Sequence, residues 1–132
     1  MSLTNPILLQ RLEGLAALGL AVAAYAMLDQ SWLTFGLLFL LPDLAMLGYL
    51  RSPKAGARSY NLAHTYAAPT LLALTGLAVG PLAYGLAAIW VGHIGFDRAL
   101  GYGLKLESGF GDTHLGSKGK TNAGRAEVLT AR

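Results

Sequence analysis

The sequence predicts an all-α fold: a bundle of four transmembrane helices in up-down-up-down order, followed by a glycine-rich loop that folds back on the cytoplasmic side. The chain has 132 residues, of which 54% are hydrophobic and only 13% are charged, a composition unlike that of a water-soluble core. Its apolar residues form blocks, and each block approaches the roughly 20 residues that span a bilayer. The connections between blocks are short, as expected for antiparallel neighbours.

The predicted elements follow one another along the chain in a simple order. The four helices are expected at about 9–28, 32–50, 60–79 and 81–99. The first helix is not a cleaved signal peptide, because Arg11 and Glu13 fall where the apolar core of such a peptide should lie. We expect a membrane domain over 1–116, whose last part is a signature loop at 100–116, and a polar flexible tail at 117–132.

Basic residues predict the orientation. They gather in the second connection and after the fourth helix, at Arg51, Lys54, Arg58, Arg98, Lys105, Lys118, Lys120 and Arg125. The positive-inside rule then places both termini in the cytoplasm. The same rule explains the net charge of +3, so we expect no nucleic-acid partner. Because the chain has no cysteine, disulfides and thiolate ligands are excluded.

The ionisable residues within the predicted helices fall at one depth. With alternating helix directions and about 1.5 Å of rise per residue, they occupy one layer of roughly 10 Å in the cytoplasmic half of the membrane. These residues are Glu13, Asp43, His64, His93 and Asp97. An ionisable group in hydrocarbon costs about 2.5 kcal/mol or more, so such groups are mostly paired or functional.

Local spacing suggests metal binding at this layer. His93 and Asp97 are four residues apart, so they project from one helix face and can share a metal ion. Pro42 precedes Asp43 directly, and Pro69 lies just beyond His64. Each proline is expected to loosen its helix and free a carbonyl at the depth of the cluster, which suits a cavity.

The loop after the fourth helix supplies two further candidates. It contains glycines at 101, 103, 109 and 111, which suit tight turns. Asp112 and His114 are two apart, so both face one side of an extended segment, and a loop that folds back would bring them to the cluster. The alternative is a solvated turn in which Asp112 caps a short helix. The predicted metal ligands are therefore His64, His93, Asp97, Asp112 and His114, with Asp43 as general base and Glu13 as a second catalytic candidate.

Two segments carry a family resemblance. "HIGFDRALGYGLK" followed by "GFGDTHLG" resembles the signature of a family of small four-helix bacterial membrane proteins, DUF4260, over about residues 10–116. The resemblance implies an integral membrane fold and a bacterial source, and hence a multi-pass protein of the inner membrane. It implies no activity and no catalytic residues.

Three classes of function fit these observations. The favoured one is a membrane-embedded metal-dependent hydrolase that uses Zn, Mn or Fe on a lipidic or amphiphilic substrate at the cytoplasmic side. A small proton-coupled transporter, with the cluster as a relay, is an alternative. So is a lipid- or quinone-binding protein whose polar cluster holds helices together. Small residues at four-residue spacing, such as Ala88 with Gly92, allow close helix contacts either within the chain or in a homodimer.

Overall fold

The structure is a computed structural model, and it describes residues 2–118. It is mostly helical, which confirms the predicted all-α class for this part of the chain. The helices are α1 (Pro6–Met27), α2 (Trp32–Leu38), a 3-10 helix (Leu41–Leu50), α3 (Pro53–Ala63), α4 (Ala67–Val79) and α5 (Pro81–Leu100). A two-stranded antiparallel hairpin follows, β1 (Asp112–Thr113) and β2 (Gly116–Ser117). Most of the predicted tail at 117–132 lies outside the described residues.

These elements make four helical rods. Three of them are long and apolar enough to cross a membrane: Pro6–Met27, Trp32–Leu50 and Pro53–Val79. Their surfaces are largely exposed leucine and other apolar side chains, as expected where lipid replaces water as the solvent. The three rods support a membrane-associated protein. The fourth rod, α5, has 20 residues but is not among those three.

Capping residues set where two of the rods begin. Asn5 accepts hydrogen bonds from the backbone N–H groups of Ile7 and Leu8, with Pro6 at the first helical position. Ser52 accepts from the N–H of Ala55, with Pro53 in the equivalent place. The third helix therefore starts at Pro53 rather than at residue 60. Much of the connection predicted at 51–59 is helical.

The second and third rods are both interrupted near a proline. The second changes from α-helix to 3-10 helix around Pro42, which cannot donate a backbone hydrogen bond. The third is broken between α3 and α4, at residues 64–66. The carbonyl groups exposed by that break are satisfied by α5: Trp90 Nε1 donates to Ala63 O at 2.6 Å, and Arg98 donates to His64 O at 2.9 Å.

Helix α5 is the centre of the packing. It packs against α1 on one side and α4 on another, while α3 packs against the 3-10 helix. At the α1–α5 contact, a Cβ on Gly95 would lie 2.6 Å from Gly14 O. Further along, a Cβ on Gly92 would meet that of Ala21 at 3.6 Å. This predicted small-residue contact is thus made within one chain.

The segment after α5 packs back onto the ends of three helices. Gly101 ends α5 in a left-handed conformation, with φ of 85°. The side chain of Asn61 on α3 then accepts a hydrogen bond from Lys105 N at 2.7 Å and donates one to Lys105 O at 2.9 Å. Lys118 Nζ donates to Leu100 O. These bonds hold the loop beside the last turns of α3 and α5, close to the polar side chains described next.

Candidate metal centre

Four side chains converge where the interruptions of the second and third rods meet the C-terminal half of α5. They are Asp43, His64, His93 and Asp97, and each offers one ligand atom within 4.8 Å of the others. His64 Nε2 lies 3.0 Å from His93 Nε2 and 3.2 Å from Asp43 Oδ1. Asp97 Oδ2 lies 3.5 Å from His64 Nε2 and 3.8 Å from His93 Nε2. The predicted convergence of these four residues is therefore present in the structure.

The local sequence explains why these side chains point to one place. Pro42 is the second residue of the 3-10 helix, and Asp43 follows it in the first turn. His64 is the C-cap of α3, so its side chain sits at the break in the third rod. His93 and Asp97 are one turn apart on α5 and share a face.

Tyr60 supports the cluster in three ways, and sequence analysis missed it. Its ring stacks on the ring of His64, with centroids 3.6 Å apart and planes 10° apart. Its carbonyl oxygen lies 2.9 Å from His64 Nδ1. Its hydroxyl donates to Asp97 Oδ2 at 2.9 Å. A single residue of α3 thus fixes one imidazole and one carboxylate of the cluster.

The hydrogen bonds indicate how protons are placed. A carbonyl oxygen can only accept, so Nδ1 of His64 carries a proton, and when the ring is neutral its Nε2 presents a lone pair to the cluster. That lone pair faces Asp43 Oδ1 and His93 Nε2. A proton on His93 Nε2 can be donated to His64 Nε2 or to Asp43 Oδ1, but not to both. His93 Nδ1 is buried and has no hydrogen-bond partner among the described residues. The cluster has more lone pairs than protons to share among them.

A divalent cation fits this arrangement of donor atoms. Ligands about 2.0–2.1 Å from a tetrahedral ion lie about 3.3 Å from one another. Five of the six pairs in the cluster are separated by 3.0–3.8 Å, which brackets this value, and all six lie within 4.8 Å. Two imidazole nitrogens and two carboxylate oxygens without sulfur suit Zn, Mn or Fe. The bond from His64 Nδ1–H to a backbone carbonyl is the usual second interaction of a metal-binding histidine.

Comparison with known proteins adds the family. A family model described as a domain of unknown function, DUF4260, matches residues 7–117. The chain belongs to the DUF4260 family. The match confirms the resemblance of the signature segments and includes the whole four-residue cluster. No curated protein and no solved structure matches the chain.

The signature loop of this DUF4260 protein does not bring its own candidates into the cluster. The Asp112 carboxylate accepts hydrogen bonds from Ser108 Oγ and Ser117 Oγ and so braces the hairpin. His114 Nδ1 accepts from the N–H of Leu104, and its Nε2 lies 3.2 Å from Gln10 Oε1 on α1. Local turn bonds therefore position both side chains. Neither Asp112 nor His114 occupies the ligand position predicted for it.

Only one of the two predicted catalytic residues lies at the cluster. Glu13 is exposed on α1 and is not one of the four converging residues. Asp43, predicted as a general base beside the metal, places one carboxylate oxygen among the four converging atoms. Its side chain remains 31% exposed, compared with 13% for Asp97. Asp43 is therefore the cluster residue most accessible to an incoming molecule.

A buried lysine from the loop lies next to the cluster. Lys105 is 8% exposed, donates from Nζ to Phe110 O, and places its ammonium 5.2 Å from the centroid of the Tyr60 ring. Burial lowers the pKa of the Lys105 ammonium, and the negative charges of Asp97 and Asp43 act in the opposite direction. The sequence indicated only its positive charge. Its burial depends on how the loop folds.

Proposed function

We propose that this protein binds a divalent metal ion through Asp43, His64, His93 and Asp97 and uses it as a membrane-embedded hydrolase. The observation that carries the proposal is the convergence of these four ligand atoms within 4.8 Å, two of them on imidazoles that are at most 1% exposed. The proposed substrate is lipidic or amphiphilic, because the surrounding helices are apolar. The proposed setting is the cytoplasmic side of a bacterial inner membrane, with both termini in the cytoplasm.

Charge balance favours a cation over simple interhelical hydrogen bonding. With both imidazoles neutral, Asp43 and Asp97 bring two negative charges to a site of low solvent exposure, and the nearby cations of Lys105 and Arg98 compensate them only in part, from outside the cluster. A divalent cation compensates both charges at once and uses the lone pairs that lack protons. Hydrogen bonding alone would require a proton at most of the contacts between the four groups. The hydroxyl of Tyr60 provides one such proton, to Asp97.

The unequal exposure of the two carboxylates suggests separate roles. Asp97 is held by Tyr60 and is mostly buried, so it acts as a fixed ligand. Asp43 is more exposed and follows a proline in a 3-10 helix, so its carboxylate can turn toward a water molecule and accept its proton. A bound metal would polarise that water as the nucleophile. The reaction class this supports is hydrolysis of an ester or related bond.

One observation favours a second candidate function. His64 Nε2 and His93 Nε2 are 3.0 Å apart, and His93 Nδ1 is buried without a partner among the described residues. A chain of two imidazoles between two carboxylates can pass a proton, as in proton-coupled carriers. This relay would operate without metal, so metal analysis separates the two functions.

The test is metal content of protein purified without chelator. We expect close to one equivalent of a transition metal in the wild type and a loss of most of it in His93→Ala. His114→Ala is the matched control, because it removes an imidazole that lies outside the cluster, and it should retain the metal. Wild-type protein with less than about 0.1 equivalents, and no uptake on titration, would overturn the metal-dependent function and favour the relay.

A further inference from the structure

An apolar cavity lies next to residues that adjoin the cluster. Its volume is about 360 Å³, near the small end of the range for ligand cavities. It is lined from the three rods that carry the cluster: Leu38 and Pro42 from the second, Ala63 and Leu72 from the third, and Leu86 and Trp90 from α5. Within residues 2–118, no side chain that lines the cavity is charged or carries a hydroxyl group.

One end of the cavity lies beside the cluster, although none of the four cluster residues lines it, and the cavity extends away from there. Pro42 and Ala63 are the chain neighbours of Asp43 and His64, and Trp90 is one turn before His93. At its other end is Leu86, which is seven residues before His93, or about 10 Å along α5. In the proposed up-down-up-down arrangement, this direction leads from the cytoplasmic side toward the middle of the bilayer.

The apolar lining of the cavity favours a hydrocarbon ligand. Among the lining residues that the structure describes, Trp90 alone has a side-chain hydrogen-bonding group, and its Nε1–H already donates to Ala63 O. The walls therefore offer no side-chain donor to the ring oxygens of a quinone or to a polar headgroup. Leu41, which also lines the cavity, is 52% exposed, so this wall reaches the outer surface of the helices.

We infer that this cavity holds a single hydrocarbon chain of the substrate, with the polar end of that molecule at Asp43. The inference rests on the proposed metal-dependent function, and it narrows the substrate to a single-chain lipid or to one acyl chain of a larger lipid. The volume suits one chain, and the distance of about 10 Å sets how much of that chain lies between the cluster and Leu86.

The test is photolabelling of the full chain in phosphatidylcholine nanodiscs. The probe is a saturated fatty acid with a diazirine near its methyl end, and labelled residues are mapped by mass spectrometry. We expect labelling at the far end of the cavity, on Leu38, Leu72 or Leu86. Ala45→Phe, which fills the cavity from the 3-10 helix, should lower this labelling severalfold.

Ala73→Phe is the matched control. Ala73 lines a different apolar groove between α1, α4 and α5, so the same change of side chain leaves the cavity open. Leu86→Trp is a second filling variant, two turns along α5 from His93, in case Ala45→Phe disturbs folding. Metal content is measured on every preparation, because it reports the proposed function independently of labelling.

The outcomes separate the two proposals. Two results would overturn the hydrocarbon-chain site even if the metal is present. One is labelling of the outward-facing Leu71 and Leu74 as strong as that of the cavity residues. The other is labelling of the cavity that neither filling variant lowers. Labelling confined to the cavity in a protein that takes up no metal supports the hydrocarbon site but overturns its assignment to a hydrolase substrate. Cavity labelling that falls in the filling variants, with metal retained in all variants, supports both.

Discussion

The hydroxyl of Tyr60 donates a hydrogen bond to Asp97 Oδ2 across the α3–α5 contact, at 2.9 Å. The same residue stacks on His64 and accepts a hydrogen bond from that imidazole through its carbonyl oxygen. Removal of the hydroxyl alone therefore separates one supporting interaction from the other two. This makes Tyr60 a positioning residue whose contribution can be measured.

In Tyr60→Phe the stacked ring remains, but Asp97 loses its hydrogen-bond donor. We expect metal affinity to fall by about 10- to 100-fold, the usual effect of removing such a supporting partner. Competition with a fluorescent chelator provides the measurement. Tyr66→Phe is the control, since Tyr66 lies outside the cluster, and it should bind metal like the wild type. Equal affinities in all three proteins would show that Tyr60 does not position a metal ligand.

Gly95→Ala tests the close contact of α1 with α5. A Cβ at position 95 would lie 2.6 Å from Gly14 O and 2.7 Å from Leu18 N, distances that force the helices apart. We expect a loss of about 1–3 kcal/mol in the free energy of unfolding, the usual cost of overpacking. Denaturation in mild detergent, followed by circular dichroism, measures the change.

Gly19→Ala is the matched control for that helix contact. A Cβ at this position of α1 meets nothing within 4 Å, and alanine favours helix more than glycine does. Its stability should equal or exceed that of the wild type. If Gly95→Ala were as stable as Gly19→Ala, the α1–α5 contact would not be as close as described.

Sequence-based prediction succeeded where helical spacing places the side chains and failed where contacts between distant residues place them. Helical period and bilayer thickness were enough to place Asp43, His64, His93 and Asp97 at one depth, and the structure brings them together. The Ser52–Pro53 pair is a helix start signal, and it marks the true start of the third helix. The predicted helix at 60–79 already held Tyr60 and His64 one turn apart, but spacing alone does not predict that their rings stack or that the Tyr60 hydroxyl reaches Asp97.

Other features depend on contacts that a local pattern does not encode. The donor that satisfies Ala63 O is Trp90, 27 positions further along the chain. In the signature loop, we predicted that Asp112 and His114 reach the cluster, but both side chains bond to residues of the loop itself. The Asp112 carboxylate accepts hydrogen bonds from Ser108 and Ser117, and His114 Nδ1 accepts one from the N–H of Leu104. These bonds within the loop position both side chains.

His114 predicts a pH dependence of the loop. Partial burial, helped by the positive charge of Arg98, lowers the pKa of the His114 imidazole below its ordinary value. The folded loop therefore binds a proton less readily than the unfolded loop. Its stability is fully present above the ordinary histidine pKa of about 6.5 and falls as the pH drops below it. Protonation of Nδ1 also removes the acceptor for the N–H of Leu104.

Hydrogen exchange of the Leu104 amide measures this effect. Protection, corrected for the intrinsic exchange rate, should decrease between pH 7.5 and pH 5. In His114→Gln that decrease should be absent, because glutamine does not titrate. Protection that stays constant in the wild type over this interval would contradict the prediction.

The orientation of the chain can be tested with single cysteines, because the sequence has none of its own. Lys54 is exposed in the first turn of α3, among the basic residues that predict the cytoplasmic side. Lys54→Cys should react with a membrane-impermeant maleimide only after cells are broken. Met27→Cys, at the end of α1, should react in intact spheroplasts. The reverse pattern would invert the proposed topology.

Asp43→Asn tests whether the most exposed cluster residue acts on the substrate as well as on the metal. Asparagine keeps an oxygen at the position of Oδ1 but can neither accept a proton from water nor compensate positive charge. We therefore expect the variant to retain metal with reduced affinity and to lose hydrolysis of a long-chain 4-nitrophenyl ester in nanodiscs by at least about 100-fold, within the range typical of a lost general base. Asp97→Asn, with Tyr60 still beside it, should instead lose mostly metal affinity, and excess metal should restore much of its activity. If excess metal restores Asp43→Asn equally well, Asp43 is a ligand alone and the water is activated by another group.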